Sequence, residues 1–239
     1  MKKINYGIDA PKVIRNLLSI GILLLLCTFF LPDDLLPPIS TFLHKSSFIP
    51  GICLTITGFL MIAYAKFGKF KHRDRIINFH NWKGDEQVLD VGTGLGLLMI
   101  GAAKKLTTGK SVGIDIFNTY DLSDNSIQQT KINAELENVS QKVEILTENI
   151  LETTFKDAAF DVIISNLCLH NLYKSDERKQ ACGEIYRLLK PNGKAIISDF
   201  KHTNAYKKAF EELGMSVEKK GTYFFDTFPP LTIIVAIKQ

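Results

Sequence analysis

Residues 88–96 read Val-Leu-Asp-Val-Gly-Thr-Gly-Leu-Gly, an apolar run that leads into a segment with glycine at every second position. This pattern predicts a buried strand, a tight turn and the start of a helix, and open α/β sheets bind ligands at that edge. Glycine lets the backbone turn sharply and approach a ligand without an intervening side chain. Asp90, ahead of the glycines, indicates a ligand with a cationic or hydroxyl-rich part. A dinucleotide fingerprint would need its third glycine at Leu97.

Beyond this turn, strand-like and helix-like segments alternate to the end of the chain. The alternation predicts a doubly wound, mostly parallel α/β sheet with helices on its faces. Phe228-Pro229-Pro230 leaves little room for a crossover helix before the last strand, so we expect one antiparallel strand there. The seven predicted strands are Gln87–Val91, Ser111–Ile116, Lys142–Leu146, Phe160–Asn166, Lys194–Asp199, Ser216–Phe225 and Leu231–Ile237.

Helices are predicted between these strands and before the first one. Lys190-Pro191-Asn192-Gly193 ends one of them, because proline and glycine stop a helix. Phe117–Ser126 is longer than the usual link from the second strand to its helix, and Asp121–Ser126 is expected to contain the N-cap. The predicted helices are Asp74–Trp82, Leu95–Leu106, Ile127–Glu137 and Glu177–Leu189.

Four ordered motifs make the chain from about Arg75 to its end resemble a class I S-adenosylmethionine-dependent methyltransferase of the broad small-molecule type. The glycine segment matches the family's DxGxGxG motif, and Val112–Ile116 matches the motif on the second strand. Phe160–Asn166 resembles the fourth-strand motif, and Glu184–Lys194 is similar to the LKPGG-type motif before the fifth strand. The resemblance implies a Rossmann-like fold and S-adenosyl-L-methionine as the methyl donor.

The same resemblance implies a cofactor site at the glycine segment. In the family the acid that ends the second strand, here Asp115, holds both ribose hydroxyls, and a carboxylate can accept from two vicinal hydroxyls at once. The family's acid after strand three, which binds the adenine amino group, is replaced by Asn149, whose carbonyl oxygen can still accept. The implied cofactor-binding residues are Asp90, Gly92, Thr93, Gly94, Gly96, Asp115, Ile116, Asn149, Ile150 and Asn166.

The candidate catalytic residues, Asn166 and His170, lie at and just after the end of the predicted fourth strand. A histidine suits a general base for a hydroxyl or thiol acceptor, although His170 can equally pack or cap the strand end. Ser165-Asn166 is similar to the start of the [DN]PPY motif of amino-group methyltransferases, but Leu167-Cys168-Leu169 replaces the rest. This departure weakens the case for DNA, glutamine or adenine as the acceptor. Cys168, among apolar neighbours, is expected to pack in the core.

Two apolar segments, Val13–Leu31 and Phe48–Ala65, precede this domain, and each approaches the ~20 residues that cross a hydrocarbon core. Neither has the polar face of a buried core helix, and the bulky end of the first segment does not suit signal-peptide cleavage. The proline-broken connection 32–47 predicts a loop. We therefore predict two transmembrane helices in a membrane hairpin over residues 1–68, and an S-adenosylmethionine-binding domain over residues 69–239.

The charge is divided unequally between these two parts. Met1–Arg75 contains ten Lys or Arg and four Asp or Glu, a net +6, whereas Ile76–Gln239 contains nineteen and twenty-one, a net −2. Because basic residues flank both apolar segments and the connection has only Lys45, the positive-inside rule predicts that both termini and the catalytic domain are cytoplasmic. A domain at −2 lacks the basic stripe that nucleic acid requires. The four cysteines lack zinc-type spacing, so no metal is expected.

These observations predict a membrane-anchored methyltransferase whose partners are the lipid bilayer and a small-molecule or lipid acceptor that reaches the site from the bilayer. Two alternatives stay open at this point: a membrane-anchored, non-catalytic binding module with a methyltransferase-like fold, and a nucleic-acid methyltransferase. Aromatic residues near the last strands either line an apolar acceptor pocket or pack in the core. They are Phe200, Tyr223, Phe224, Phe225 and Phe228.

Overall fold

The computed structural model describes residues 3–32 and 37–239, which form two compact units. The α/β unit contains residues 3–7, 68–119 and 124–239. The helical unit contains the described part of residues 8–67 together with residues 120–123.

The α/β unit is built on a mixed sheet of seven strands. The strands are β1 (Gln87–Val91), β2 (Lys110–Asp115), β3 (Val143–Thr147), β4 (Phe160–Asn166), β5 (Leu189–Asp199), β6 (Ser216–Tyr223) and β7 (Leu231–Ile237). Their order in space is β3-β2-β1-β4-β5-β7-β6, and only β7 runs antiparallel to its neighbours. The order reverses between β1 and β4, where doubly wound sheets bind their ligands. The prediction of a mostly parallel sheet with one antiparallel strand is confirmed.

The fifth strand begins five residues earlier than predicted. Leu189 already pairs with Phe160, and the register then shifts before Val162 pairs with Lys194. Asn192 lies inside this irregular stretch with a φ of +62°. The Pro-Gly segment that was predicted to end the preceding helix therefore also forms the bulged start of the strand.

Helices cover both faces of the sheet and form the helical unit. They are α1 (Pro11–Phe30), α2 (Pro37–Ala63), α3 (Lys69–Ile77), α4 (Leu97–Ala103), α5 (Ile127–Leu136), α6 (Ser175–Leu188) and α7 (Thr203–Glu212). On one face of the sheet, α3 and α4 bury residues such as Ile76 and Ala102. On the other face, α6 and α7 bury residues such as Ile185 and Phe210. Burial of apolar side chains on both faces explains why the central strands are almost continuously hydrophobic.

Two predicted helices differ from the observed ones in their boundaries. The helix predicted over 74–82 lies at 69–77, and α4 is shorter than the predicted 95–106 because Gly96 has a left-handed φ of +85°. The predicted N-cap before α5 is confirmed, since the Ser126 hydroxyl accepts from the backbone nitrogen of Gln129.

In the helical unit, α1 and α2 pack closely through small residues. A methyl group added at Gly21 would lie 2.5 Å from Thr55 Oγ1, and one at Gly58 would lie 2.6 Å from Leu18. These pairings mean that the helices run antiparallel, and small residues of this kind let helix backbones approach each other. Residues 37–47, predicted as loop, are instead the first turns of α2, because Pro37 is tolerated at the start of a helix. Residues 33–36 of the predicted loop lie outside the described residues.

Two helical stretches of the described chain are long and apolar enough to cross a membrane: α1, and Ser46–Ile77, which comprises most of α2, the π-helical residues Tyr64–Gly68 and α3. Only 11% and 22% of the residues in their apolar windows are buried within the protein. Core helices of a soluble protein bury most of such a window, whereas these two leave their apolar side chains largely uncovered.

Candidate active site

The glycine segment forms a tight turn between β1 and α4. Its three glycines have positive φ values, a region that favours glycine: +73° at Gly92, +51° at Gly94 and +85° at Gly96. The backbone nitrogens of Gly92 and Thr93 both donate to the Ile114 carbonyl in β2, at 2.9 and 3.0 Å. A methyl group at Gly92 would overlap Cys168 Sγ, so the turn also has no room on the side of β4.

Asp90 lies beneath this turn and is 1% exposed. Its Oδ2 atom accepts from Thr93 Oγ1 and from the backbone nitrogen of Met99, both at 2.9 Å. Burial raises the pKa of the carboxyl group to about 7, and the nearby Asp115 carboxylate adds to the rise. Among the described residues, no donor reaches the buried Oδ1 atom. One oxygen of Asp90 therefore holds the turn, and the other lacks a partner within the protein.

Asp115, the last residue of β2, contacts the same turn. Its Oδ2 atom accepts from the Gly94 nitrogen at 2.7 Å, and its Oδ1 atom accepts from the Phe117 nitrogen at 2.6 Å. Each carboxylate oxygen can accept a second hydrogen bond, so the group retains capacity for a pair of hydroxyls. The neighbouring Ile116 is 61% exposed and offers an apolar surface beside that carboxylate.

Helix α5 supports the glycine turn from the other side. Thr130 Oγ1 donates to the Gly94 carbonyl at 2.9 Å, and Asn133 Nδ2 donates to the Leu95 carbonyl at 2.9 Å. The Asn133 amide also binds Asn5, accepting from its nitrogen at 2.9 Å and donating to its carbonyl at 2.7 Å. The start of the chain is thus tied to the turn through a fully buried amide. No sequence signal pointed to this contact, because its partners are 128 residues apart.

Asn149 and Ile150 follow β3 and have different surroundings. Asn149 is exposed, and its side-chain oxygen accepts from the Leu151 nitrogen at 3.0 Å, which closes a local turn. Ile150 is 6% exposed and packs in the core. The role of Asn149 in adenine binding stays a prediction. Its side-chain oxygen already accepts one hydrogen bond within the local turn.

His170 lies beyond β4 in a short 3-10 helix, Leu169–Asn171. Its Nδ1 atom is 2.9 Å from Oδ1 of Asp199, a carboxylate that is completely buried at the end of β5. Asp199 also accepts from the backbone nitrogens of His170 at 3.0 Å and Phe200 at 2.8 Å. The imidazole lies edge-on to the Phe200 ring, with centroids 4.7 Å apart. These contacts hold the histidine in one orientation at the carboxyl edge of the sheet.

Asp199 was not singled out from the sequence, although a signal for it existed. It is the acid that ends a predicted strand, in the same position on β5 as Asp115 on β2. The carboxyl ends of these parallel strands share one edge, so both acids face the ligand-binding side of the sheet.

Asn166 and Cys168 complete the residues predicted at the end of β4. Asn166 is half-buried as the last residue of the strand. Cys168 packs against the core, as predicted, and burial raises the pKa of its thiol, with further contributions from Asp115 and Asp199. A thiol that resists ionisation is a poor nucleophile.

The donor and acceptor groups at this edge fit S-adenosylmethionine. The buried Oδ1 of Asp90 lacks a partner, as a site for a cationic or hydroxyl-bearing ligand requires. The Asp115 carboxylate has capacity for a vicinal diol. The glycine turn leaves its backbone open to close approach.

Comparison with known proteins identifies the family. A family model described as "Methyltransferase domain" matches residues 83–225, which is more than half of the chain. The match includes the glycine turn, Asp115, His170 and Asp199.

Two curated relatives illustrate the range of similar proteins. The ribosomal protein L11 methyltransferase of Oceanobacillus iheyensis is 38% identical over 85 residues, which are 36% of this chain and 24% of that protein. The 2-phytyl-1,4-naphtoquinone methyltransferase of Nostoc sp. is 29% identical over 133 residues, 55% of this chain and 54% of that protein. The chain thus spans about a quarter to about half the length of these relatives.

Among solved structures, the magnesium protoporphyrin IX methyltransferase of Synechocystis, with bound S-adenosylmethionine, is similar with a TM-score of 0.61. The match covers 76% of this chain and 84% of that one at 18% identity, so it supports the fold alone. Together, the family model and the fold show that this chain belongs to the methyltransferase domain family.

Proposed function

We propose that this protein is a membrane-anchored enzyme that methylates a small, lipophilic acceptor, with both termini and the catalytic domain on the cytoplasmic side. The observation on which the proposal rests is the pair of apolar helices, whose apolar windows are only 11% and 22% buried by the protein itself. A bilayer would cover these surfaces, and the basic residues that flank them favour the cytoplasmic side. The two apolar helices within residues 1–68 then act as the anchor, and residues 69–239 act as the catalytic domain.

The names of two relatives are consistent with a lipophilic acceptor. One is the 2-phytyl-1,4-naphtoquinone methyltransferase already described, and the other is a demethylmenaquinone methyltransferase of Lactobacillus johnsonii, 30% identical over 118 residues, 48% of this chain and 44% of that protein. Both names give a quinone as the acceptor. An acceptor of this class dissolves in the bilayer in which the two apolar helices would lie.

The proposed chemistry uses three acidic residues and one histidine. When bound, S-adenosylmethionine supplies a methyl group on a sulfonium, which is an electrophile. Asp90 and Asp115 hold the donor molecule beside the glycine turn, which places it in line with the acceptor. The Asp199 carboxylate lies 2.9 Å from Nδ1 of His170 and favours a proton on that atom, so that Nε2 is free to take up the proton that the acceptor loses as it gains the methyl group. The same carboxylate stabilises the imidazolium that results.

The proposal is tested by reconstituting the full chain in vesicles prepared from bacterial membrane lipids and adding S-adenosylmethionine labelled in its methyl group. We expect the label in the organic extract, and we expect the chain to stay with the vesicles after alkaline washing. Asp115→Ala, which removes the ribose-binding carboxylate, is the control that should abolish the labelling. Label in protein or nucleic acid, or release of the chain by alkali, would contradict the proposal.

A further inference from the structure

The loop between β6 and β7, residues 224–230, lies at the same edge of the sheet as the candidate active site. Asp199 at the end of β5 pairs with Thr232 of β7, and Thr222 near the end of β6 pairs with the same residue. Strand β7 runs antiparallel to both, so β5 and β6 end at one edge. The topology therefore places this loop on the side where the acceptor must enter.

Two adjacent aromatic residues are displayed at the start of this loop. Phe224 is 64% exposed and Phe225 is 104% exposed, so they do not line a pocket or pack in the core as predicted. A single exposed apolar residue is ordinary, but two neighbouring exposed phenylalanines at the edge of the candidate active site indicate a surface that binds an apolar partner.

Polar contacts hold the loop against α3. Asp226 forms ion pairs with Arg75 at 2.5 Å and with Lys71 at 3.0 Å. The Arg75 guanidinium also lies 3.9 Å from the centre of the Tyr223 ring. Tyr223 precedes and Asp226 follows the two phenylalanines in the chain, so contacts with α3 hold both ends of this exposed segment.

Helix α3 itself is fixed to the sheet close to the active site. Its His72 is fully buried, and the imidazole Nε2 lies 2.7 Å from Ser198 Oγ, one residue before Asp199. Arg75 contacts the other ring nitrogen, Nδ1, at 2.9 Å. A continuous set of contacts therefore joins the loop, α3 and the end of β5.

Helix α3, which contacts this loop, follows the second apolar helix closely in the sequence. Lys71, which binds Asp226, comes only eight residues after Ala63, the last residue of α2. Two basic residues of this stretch, Lys66 and Lys71, are exposed, which suits an anionic lipid surface.

We propose that Phe224 and Phe225 insert into the interface of an anionic bilayer and turn the carboxyl edge of the sheet toward the membrane. The inference deepens the proposed function and rests on it, because it assigns to this loop the contact through which a lipophilic acceptor reaches His170. The phenylalanines supply the apolar contact, and the exposed Lys66 and Lys71 supply the attraction to lipid head groups.

Tryptophan fluorescence of the full chain in anionic vesicles tests this contact. The protein has one native tryptophan, Trp82, which supplies the background signal of the unmodified chain. Phe225→Trp adds a probe in the loop, and Leu136→Trp adds a matched probe at the partly exposed end of α5. In vesicles of ordinary lipids we expect the added emission of Phe225→Trp to be blue-shifted, and in vesicles of brominated lipids, which quench tryptophan, we expect it to be largely lost. The added emission of Leu136→Trp should be unchanged in both.

The outcomes separate this inference from the proposed function. If the chain floats with the vesicles and both added probes keep their emission, the loop contact is wrong and the anchor stands. If the chain does not float with the vesicles, the proposed function fails, and the loop contact fails with it. As a second measurement, the double variant Phe224→Ser/Phe225→Ser should lose labelled lipid product while it binds S-adenosylmethionine as tightly as the unmodified chain. Equal product formation would overturn the inference.

Discussion

Asp90 is a buried carboxyl group that uses one oxygen to hold the glycine turn and has no partner within the described protein for the other. Burial makes the charged form costly and the nearby Asp115 carboxylate adds to that cost, which is why the pKa of Asp90 rises to about 7. A cationic ligand offsets that cost, because it offers the ionised carboxylate an opposite charge. Ligand binding and ionisation of this residue should therefore be coupled.

Binding of S-adenosylmethionine should strengthen as the pH rises toward 7 and then level off. Below the pKa the carboxyl group is neutral, so affinity should change by at most about tenfold per pH unit in that range. Titration calorimetry at pH 5.5, 6.5 and 8 measures the affinity, and buffers of different ionisation enthalpy reveal the proton released on binding. Asp90→Asn should bind more weakly with no such dependence, and a pH-independent affinity of the unmodified protein would contradict the coupling.

The same pKa makes a prediction for stability. The carboxyl group ionises near pH 4 in the unfolded chain but near pH 7 in the folded one, so the folded state binds more protons between these values and loses stability as the pH rises. Asp90→Asn removes the ionisation. Urea denaturation should therefore show that the stability of Asp90→Asn, measured relative to that of the unmodified chain, is greater at pH 8 than at pH 4.

His170 is expected to affect turnover and not donor binding. If Nε2 removes the acceptor proton, His170→Ala should lower kcat by about 10²- to 10⁴-fold and leave the affinity for S-adenosylmethionine unchanged. Asp199→Asn should lower kcat as well, because it no longer stabilises the imidazolium. Single-turnover assays with bacterial membrane lipids as the source of acceptor measure the rate of methyl transfer. Separate binding measurements give the affinity for S-adenosylmethionine. A full rate in His170→Ala would assign the residue to packing against Phe200.

At the scale of elements, the turn between β1 and α4 has no room for an added side chain at Gly92. Gly92 has a positive φ and no space for a methyl group beside Cys168. Gly183, in the interior of α6, has no atom within 4 Å of an added methyl group and an ordinary helical backbone. The two glycines therefore provide a matched pair for the same substitution.

Gly92→Ala should destabilise the protein and abolish donor binding, because the turn must move to relieve both the backbone strain and the overlap. Gly183→Ala should stabilise it by up to ~1 kcal/mol, since alanine is the better helix former. Urea denaturation and donor binding of both variants measure these effects. Equal behaviour of the two would show that the conformation of the turn is not required.

At the scale of the whole molecule, the start of the chain belongs to the α/β unit although it precedes the apolar helices. Tyr6 is 6% exposed, donates its hydroxyl to Glu137 at 3.0 Å and packs against the Phe70 ring. Lys69 Nζ donates to the carbonyls of Tyr6 and Gly7, both at 2.6 Å. A chain shortened to begin near Lys69 would lose these contacts as well as the apolar helices.

Tyr6→Ala should therefore lower the free energy of unfolding of the α/β unit by ~3 kcal/mol, the usual loss for a buried aromatic side chain. Ile4→Ala, in the same segment but 45% exposed, should change it by less than ~0.5 kcal/mol. Denaturation of the full chain in detergent, followed by near-ultraviolet circular dichroism, measures both. Equal stability of the two variants would mean that the segment does not contribute to the folded unit.

The local pattern of the sequence determined the strands, the glycine turn, the N-cap at Ser126 and the two apolar helices, because each depends on residues close together in the chain. It could not determine that His170 meets Asp199 across 29 residues, that Asn133 binds Asn5 across 128, or that Arg75 holds Asp226 across 151. Those contacts depend on strand order and register, which bring distant side chains to one edge of the sheet. The family and the candidate base His170 are thus readable from the sequence, whereas the acid partner of that base and the contacts of the loop between β6 and β7 arise only when the chain is folded.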